Sequence, residues 1–236
     1  MSLILAAHGT RRSAGVAMIG DLAARVSELL DRTVGVAFVD VLGPTPSEVL
    51  SELRARGEPA IVLPAFLSRG YHVRADLPAH IEASGHRQVL VTPALGPGPQ
   101  IARVLFQNLL EIGWQHGDSV ILAAAGTSDS RARADLDLAA TLLSRLTGSP
   151  VDLGFAATGS PMIRDAVAAA RARGSGRVVV ASYLLADGLF QERLNGCGAD
   201  LVTRPLGTHP ALARLVAERF RDATIRSVRM HYQRTA

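Results

Sequence analysis

Short apolar runs alternate along this chain with stretches in which apolar residues recur every three or four positions. The first run, LILAA from Leu3, ends at a polar residue and a glycine, which is typical of a buried parallel strand. The predicted strands are 3–7, 34–41, 60–65, 88–92, 120–125, 151–156, 177–184 and 200–204. The predicted helices are 13–30, 45–56, 76–84, 101–112, 131–147, 161–173, 191–195 and 210–223. This alternation predicts an α/β fold with doubly wound parallel sheets and helices on both faces.

The first strand occurs twice. VILAAAGT at 120–127 repeats LILAAHGT at 3–10, and His8 is replaced by Ala125. We therefore expect two similar halves that face each other across a cleft, 1–116 and 117–224, in a monomer with an internal pseudo-twofold. The basic stretch 225–236 shows no pattern and is expected to be a frayed tail.

Aligning the halves on these strands pairs Asp40 with Ala157 at an offset of 117 positions. At the same offset, Phe66 and Leu67 meet Tyr183 and Leu184, and one inserted residue later His72 meets Phe190. Three polar residues of the first half thus have apolar counterparts. Each lies at or just beyond the carboxyl end of a predicted strand, the edge at which open α/β sheets bind ligands. The pattern predicts a fold built twice and a site built once.

Two imidazoles and one carboxylate can hold a first-row divalent ion such as iron, cobalt, nickel or zinc. The same groups can act as general bases near neutral pH. Cys197 is the only cysteine, so a multi-cysteine zinc site or an intrachain disulfide is excluded.

Composition narrows the function classes further. All 25 basic residues are arginine, which excludes Schiff-base lysines and Walker-type phosphate loops. The net charge is only +4 and no arginine-rich helix carries interleaved aromatics, so no nucleic-acid partner is expected. No membrane span or signal peptide is expected either, which favours a cytoplasmic protein.

Basic and hydroxyl side chains flank the candidate histidines. The arginines could bind substrate carboxylates through two parallel hydrogen bonds, and Thr10 could donate one. These candidate substrate-binding residues are Thr10, Arg11, Arg12, Arg69 and Arg74. Ser13 is a second hydroxyl donor or a helix cap, and Asp76 is expected to be a helix N-cap.

Three motifs carry a family resemblance: AHGT at 7–10, FVD at 38–40 and FLSRGYHVRADLP at 66–78. They resemble the class II chelatases of the CbiX/SirB type, in the long form whose single chain contains both halves. The resemblance implies insertion of Fe²⁺ or Co²⁺ into sirohydrochlorin, a tetrapyrrole with eight carboxylates, with the metal as a substrate and no permanently bound cofactor. It also implies that His8 and His72 bind the metal and assist removal of the pyrrole protons. The family usually has Glu where this chain has Asp40, whose shorter side chain could orient a histidine or act through water.

Alternatives remain open at this point. Iron insertion for sirohaem is the first expectation, cobalt insertion for corrinoids is the second, and a non-catalytic metal or tetrapyrrole carrier is the third. A histidine phosphatase is disfavoured because Ala7 stands where that class has an arginine. The remaining histidines are expected to be bystanders: His80, His86, His116, His209 and His231.

Overall fold

The computed structural model describes residues 1–235, and the side chains of these except residues 208 and 230–235. Eight strands form two parallel four-stranded sheets, in the orders β2-β1-β3-β4 and β6-β5-β7-β8. The first sheet comprises β1 (Ser2–Ala7), β2 (Val34–Phe38), β3 (Ala60–Pro64) and β4 (Val89–Val91). The second comprises β5 (Ser119–Gly126), β6 (Val151–Thr158), β7 (Val178–Ser182) and β8 (Leu201–Val202). The doubly wound α/β prediction is confirmed, and the repeated strand order confirms the duplication.

Eight α-helices connect the strands, joined by a π-helical turn at His72–Asp76 and a 3₁₀ turn at Leu206–Thr208. The first four are α1 (Ser13–Leu30), α2 (Pro46–Ala55), α3 (Leu77–Ser84) and α4 (Pro99–Glu111). The others are α5 (Ser130–Thr147), α6 (Ile163–Ala172), α7 (Leu189–Asn195) and α8 (Pro210–Thr235). Local sequence explains several starts. Thr45 and Glu48, for example, form a capping box at α2, in which each side chain accepts a hydrogen bond from the other residue's backbone N–H.

The chain divides into two compact units whose borders differ from those of the sequence halves. The first unit comprises Met1–Phe66, Tyr71–Leu95 and the chain from Pro210 onward. The second comprises Leu67–Gly70 and Gly96–His209. Each sequence half ends in a helix that packs in the other unit. Helix α4 follows the first sheet along the chain but belongs to the second unit, and α8 follows the second sheet but belongs to the first unit.

In the first unit, α2 and α3 cover one face of the sheet. The buried aliphatic core on that face consists of Ile4, Ala6, Ala37, Val39, Leu50, Leu53, Ala60, Val62 and Leu77. On the other face, α1 and α8 contact each other while packing on β2 and β3. In α1, Ile19, Leu22 and Val26 are buried at helical spacing, so the apolar stripe seen in the sequence is the face that meets the sheet.

The second unit repeats this arrangement with α6 and α7 on one face and α4 and α5 on the other. Its core between the sheet and α6 includes Ile121, Val180, Ile163 and Val167. Cys197 is buried in the same core as a free thiol.

The expected frayed tail needs correction. Helix α8 continues to Thr235, so the basic stretch after Ala223 is helical in the described chain. The reason is local: no glycine or proline follows Pro210 to end the helix.

The strand register also corrects one part of the repeat alignment. The Ala65 N–H donates to the carbonyl of Ala6, and the Tyr183 N–H donates to that of Ala123, each at 2.7 Å. Tyr183 is therefore the counterpart of Ala65, not of Phe66, and the inserted residue precedes the third strand of the second sheet. The pairing of His72 with Phe190 keeps its place.

In the second unit, Asp118 and Arg177 form an ion pair that allows a stability prediction. The guanidinium donates to the Asp118 carboxylate at 3.0 and 2.6 Å, and the Gln115 N–H donates to it at 2.8 Å. These bonds, above all those from Arg177, hold the pKa of the Asp118 carboxyl below its ordinary value. A carboxyl whose pKa is lowered by folding stabilises the fold at pH values above its unfolded-state pKa. That stabilisation is lost as the pH falls through the folded-state pKa.

We expect Asp118→Asn to lower the free energy of unfolding at pH 7 by about 1–3 kcal/mol. The difference from the parent should shrink below about pH 4, where the aspartate of the parent becomes protonated on unfolding. Urea unfolding across that pH range measures both. Asp137→Asn is the control, since its contact with Arg133 is long and exposed, and it should cost less than about 1 kcal/mol. A gap that stays constant down to about pH 2 would contradict the role of ionised Asp118.

Candidate metal-binding site

Three metal-ligating side chains meet at the carboxyl edge of the first sheet. His8 follows β1, Asp40 lies just beyond β2, and His72 begins the π-helical turn after β3. One donor atom from each lies within 4.8 Å of the others. Because β2, β1 and β3 are neighbours in the sheet, their carboxyl ends deliver the three residues to one place.

The contacts of His8 define which ring nitrogen faces outward. Its Nδ1 lies 2.6 Å from the carbonyl oxygen of Gly9 and 3.1 Å from Oδ1 of Asp40. A carbonyl oxygen only accepts hydrogen bonds, so Nδ1 carries the proton. In the neutral ring, Nε2 is then the nitrogen with a free lone pair, as a metal ligand requires.

Gly9 is required at its position by a close approach of two backbones. A Cβ atom there would lie 2.1 Å from the carbonyl oxygen of Asp40. The same glycine donates its N–H to Oδ1 of Asp40 at 3.1 Å. The AHG motif therefore supplies a candidate ligand, His8, and in Gly9 both the space and the hydrogen-bond donor that hold Asp40 in place.

His72 has a carboxylate partner that the sequence analysis missed. Its Nδ1 lies 2.6 Å from Oδ2 of Asp76, four residues later in the π-helical turn. Asp76 was expected to cap helix α3, but its side chain makes no capping bond and its backbone is already helical. The His-x-x-x-Asp spacing was the available signal, because residues four apart on a helix are neighbours. A π-turn is also a frequent feature of functional sites.

Aromatic rings surround His72. The ring centroid of His8 lies 4.8 Å away in an edge-to-face arrangement, and Phe66 stacks on His72 at 6.0 Å. Tyr71 lies at 6.3 Å and its residue is 65% exposed. The side chains of His8, His72 and Asp40 are 52%, 36% and 32% exposed, so the donor set is open to solvent. An open set suits a site that takes up and releases a metal rather than one that locks it in place.

The candidate substrate-binding residues differ in their surroundings. Arg11, Arg12 and Arg74 are exposed in the segments next to His8 and His72. The Thr10 hydroxyl accepts the Arg12 N–H at 3.2 Å, which leaves its own proton available to a ligand. Ser13 is the first residue of α1 and no side chain makes a capping bond there, so of its two alternatives the helix cap is wrong.

Arg69 is engaged elsewhere. Its Nη2 donates to Oδ1 of buried Asp135 at 2.6 Å, and its Nε and backbone N–H donate to the same carboxylate. The hydrogen bonds that Arg69 donates to this carboxylate, together with the carboxylate's negative charge, raise the pKa of the guanidinium. The fork that was expected to bind a substrate carboxylate is thus occupied within the second unit, and we do not retain Arg69 for that role.

The other histidines divide into three groups. His80 and His86 bind backbone carbonyls within the first unit. His116 is exposed and His209 is buried, and both belong to the second unit. The side chain of His231 lies outside the described residues. Within the described chain, no helix combines the length and apolar content that a bilayer span requires.

Solved structures share this fold across nearly the whole chain. SirB from Bacillus subtilis with Fe³⁺ is 17% identical, with 94% of each chain covered and a TM-score of 0.80. SirB from Bacillus subtilis subspecies spizizenii in complex with cobalt is 16% identical, again with 94% of each chain covered and a TM-score of 0.74. Two parallel α/β units of this kind, with a His-His-Asp donor set on the first, define a protein of the chelatase fold.

Sequence comparison identifies the family. The CbiX family model matches the chain twice, at residues 2–112 and 119–223, and the chain belongs to this family of sirohydrochlorin chelatases in its long, duplicated form. The sirohydrochlorin cobaltochelatase of Methanothermobacter thermautotrophicus is 30% identical over 126 residues, which cover 44% of this chain and 87% of that protein.

The Gly9 contact yields a prediction for the integrity of the site. Gly9→Ala should force the end of β2 away from β1, because the added Cβ meets the Asp40 carbonyl well inside van der Waals contact. We expect Co²⁺ affinity to fall by about 10-fold or more, measured by titrating the protein with Co²⁺ alone.

Gly20→Ala is the matched control, since a Cβ at Gly20 meets nothing within 4 Å in helix α1. It should leave Co²⁺ affinity unchanged and raise the free energy of unfolding by up to about 1 kcal/mol. Equal Co²⁺ binding by both alanine variants would contradict the account of Gly9.

Proposed function

We propose that this protein inserts Fe²⁺ into sirohydrochlorin in sirohaem biosynthesis, with His8 and His72 as the residues that hold the incoming metal. The observation that carries the proposal is the geometry of the two rings. Each has Nδ1 next to an oxygen acceptor, Gly9 or Asp76, which leaves both Nε2 atoms as the ligating nitrogens.

Asp40 acts on the metal through His8 in this proposal. Its Oδ1 already accepts the Gly9 N–H and lies beside Nδ1 of His8. A carboxylate so placed orients the imidazole and makes its other nitrogen a stronger ligand. This is consistent with a side chain one methylene shorter than the glutamate usual in the family.

Metal insertion also requires that two pyrrole N–H protons leave the macrocycle as the ion enters it. We assign the first acceptance to His72. As the metal passes to the macrocycle, the freed Nε2 takes a pyrrole proton, and the Asp76 carboxylate 2.6 Å from Nδ1 stabilises the imidazolium. The second proton passes to solvent, to which the donor set is open.

The charge of the substrate matches the residues around the site. Sirohydrochlorin carries carboxylates, and Arg11, Arg12 and Arg74 are exposed guanidinium groups next to the two histidines. Guanidinium binds carboxylate through paired, charge-assisted hydrogen bonds. We assign these three arginines and the Thr10 hydroxyl to substrate binding.

Cobalt is the second candidate metal, favoured by the cobaltochelatase name of the Methanothermobacter relative. Imidazole ligands accept both ions, and the general affinity order places Co²⁺ above Fe²⁺. Selection must then come from the rate of insertion or from metal supply rather than from the ligand set.

Removing either histidine tests the proposed roles. We expect His8→Ala and His72→Ala each to lower kcat for sirohydrochlorin metallation by about 100-fold or more, because each removes a metal ligand. The change in the absorption spectrum of sirohydrochlorin on metallation is the measurement. His116→Ala, on the exposed surface of the second unit, should retain full turnover. Near-normal turnover in both active-site variants would remove these residues from the mechanism.

Metal competition tests the assignment of iron. With equal Fe²⁺ and Co²⁺ under anaerobic conditions and protein at a small fraction of the sirohydrochlorin concentration, we expect iron insertion to dominate the product. Predominant cobalt product would make the protein a cobaltochelatase. Formation of only one product molecule per protein would instead identify a carrier.

A further inference from the structure

The turn that carries Asp40 is strained. Val41, a β-branched residue, has φ of +64°, and the Leu42 N–H donates to the Asp40 carbonyl at 2.7 Å. This is a γ-turn with a positive φ at its centre, a conformation that β-branched residues rarely adopt. Such a turn persists only where the surrounding structure holds it.

His80 contacts the base of this turn from helix α3. Its Nε2 lies 2.9 Å from the carbonyl oxygen of Val39, and its Nδ1 lies 3.1 Å from the Ser47 hydroxyl in the first turn of α2. The carbonyl only accepts, so Nε2 carries the proton and, in the neutral ring, Nδ1 accepts from Ser47. His80 was expected to be a surface bystander, but it is half-buried and links two helices to the residue before Asp40.

Val39 is therefore held on both sides of its backbone. Its N–H donates to the carbonyl of Ala7, the residue before His8, at 3.0 Å, and its own carbonyl receives the His80 hydrogen bond. Val39 is 5% exposed, so removal of the His80 donor leaves a buried carbonyl without that bond. We expect the strained turn to relax in response, which would move the Asp40 carboxylate away from Nδ1 of His8.

The second half offers a comparison for this contact. Ala156 lies 117 positions after Val39, and its carbonyl also accepts a side-chain hydrogen bond, from Arg193 of α7 at 3.0 Å. The second half has Ala157 in place of Asp40, so the supported carbonyl there precedes no carboxylate. Among the described residues, positive φ outside glycine occurs at Val41 and Asp31, so the strained β-branched turn lies beside Asp40.

We infer that His80 is a positioning residue for the metal site: its hydrogen bond to Val39 holds the strained turn that places the Asp40 carboxylate against His8. The inference rests on the proposed function for the metal-binding role of His8. Its distinct content is that a side chain on α3, without contact to the metal, sets how well the His8 ring binds it.

His86 provides a matched control for the experiment. Its Nε2 lies 2.9 Å from the carbonyl oxygen of Glu58, and its Nδ1 accepts the Gln88 N–H at 3.3 Å. His80→Leu removes a hydrogen bond to a backbone carbonyl beside the site. His86→Leu removes the same kind of hydrogen bond elsewhere in the first unit. Glutamine at each position restores a donor to the carbonyl.

The measurements are Co²⁺ affinity of the protein alone, kcat for sirohydrochlorin metallation, and Tm. We expect His80→Leu to lower Co²⁺ affinity and kcat by about 10-fold, and His80→Gln to recover to within about threefold of the parent. His86→Leu should lower Tm by a similar amount and leave Co²⁺ affinity within about twofold. Ser47→Ala, a milder change on the far side of the ring, should produce a smaller loss in the same direction and serves if His80→Leu does not fold.

A double-mutant cycle separates positioning from general destabilisation. In the Asp40→Ala background, His80→Leu should have no further effect on Co²⁺ affinity, because the carboxylate it positions is absent. Additive losses, or parent-like Co²⁺ affinity in His80→Leu, would overturn the inference while the proposed function stands. Parent-like turnover in His8→Ala and His72→Ala would instead overturn the proposed function, whatever the His80 variants show.

Discussion

The approach of Gly9 to Asp40 is the contact on which the rest of the site depends. With no side chain at Gly9, the ends of β1 and β2 come close enough for the Gly9 N–H to bind the Asp40 carboxylate. That places the carboxylate beside Nδ1 of His8, whose N–H also donates a hydrogen bond to the Gly9 carbonyl. Gly9 thus positions the Asp40 carboxylate. Together the two residues bond Nδ1 of His8, so Nε2 is the ring nitrogen left to bind a metal. An aspartate is long enough for this arrangement, because its carboxylate has to reach only the end of the neighbouring strand.

A second constraint is the unequal use of a duplicated scaffold. Both units keep the same strand order and parallel register, and both have a glycine whose missing side chain allows a close backbone approach, Gly9 in one and Gly126 in the other. The first unit adds two imidazoles, their two carboxylate partners and the supporting His80. The second has Ala125, Ala157 and Phe190 where the first has His8, Asp40 and His72. The apolar framework is present in both copies, whereas among the described residues the His-His-Asp donor set lies in the first unit.

Several features of the site could be predicted because they depend on local pattern. His8, Asp40 and His72 each follow a recognisable apolar strand, and parallel strands end at a common edge. Asp76 and His80 escaped prediction for different reasons. The capping preference of aspartate suggested a helix start, but the π-helical turn begins four residues earlier and turns the carboxylate toward His72. The partners of His80, Val39 and Ser47, lie 41 and 33 positions away, a pairing that no periodicity encodes.

The sequence by itself determined the α/β alternation, the duplication and the three donor residues, because hydrophobic periodicity and strand ends are local properties of the chain. Only the tertiary structure decided that α4 packs in the second unit and α8 in the first, since either sheet offers an apolar face to an amphipathic helix. It also decided that Arg69 binds Asp135 rather than remaining available to a ligand, because an arginine pairs with whichever carboxylate the fold brings near. Helices and strands follow from neighbours along the chain, whereas the choice among partners of equal chemistry follows from three-dimensional proximity.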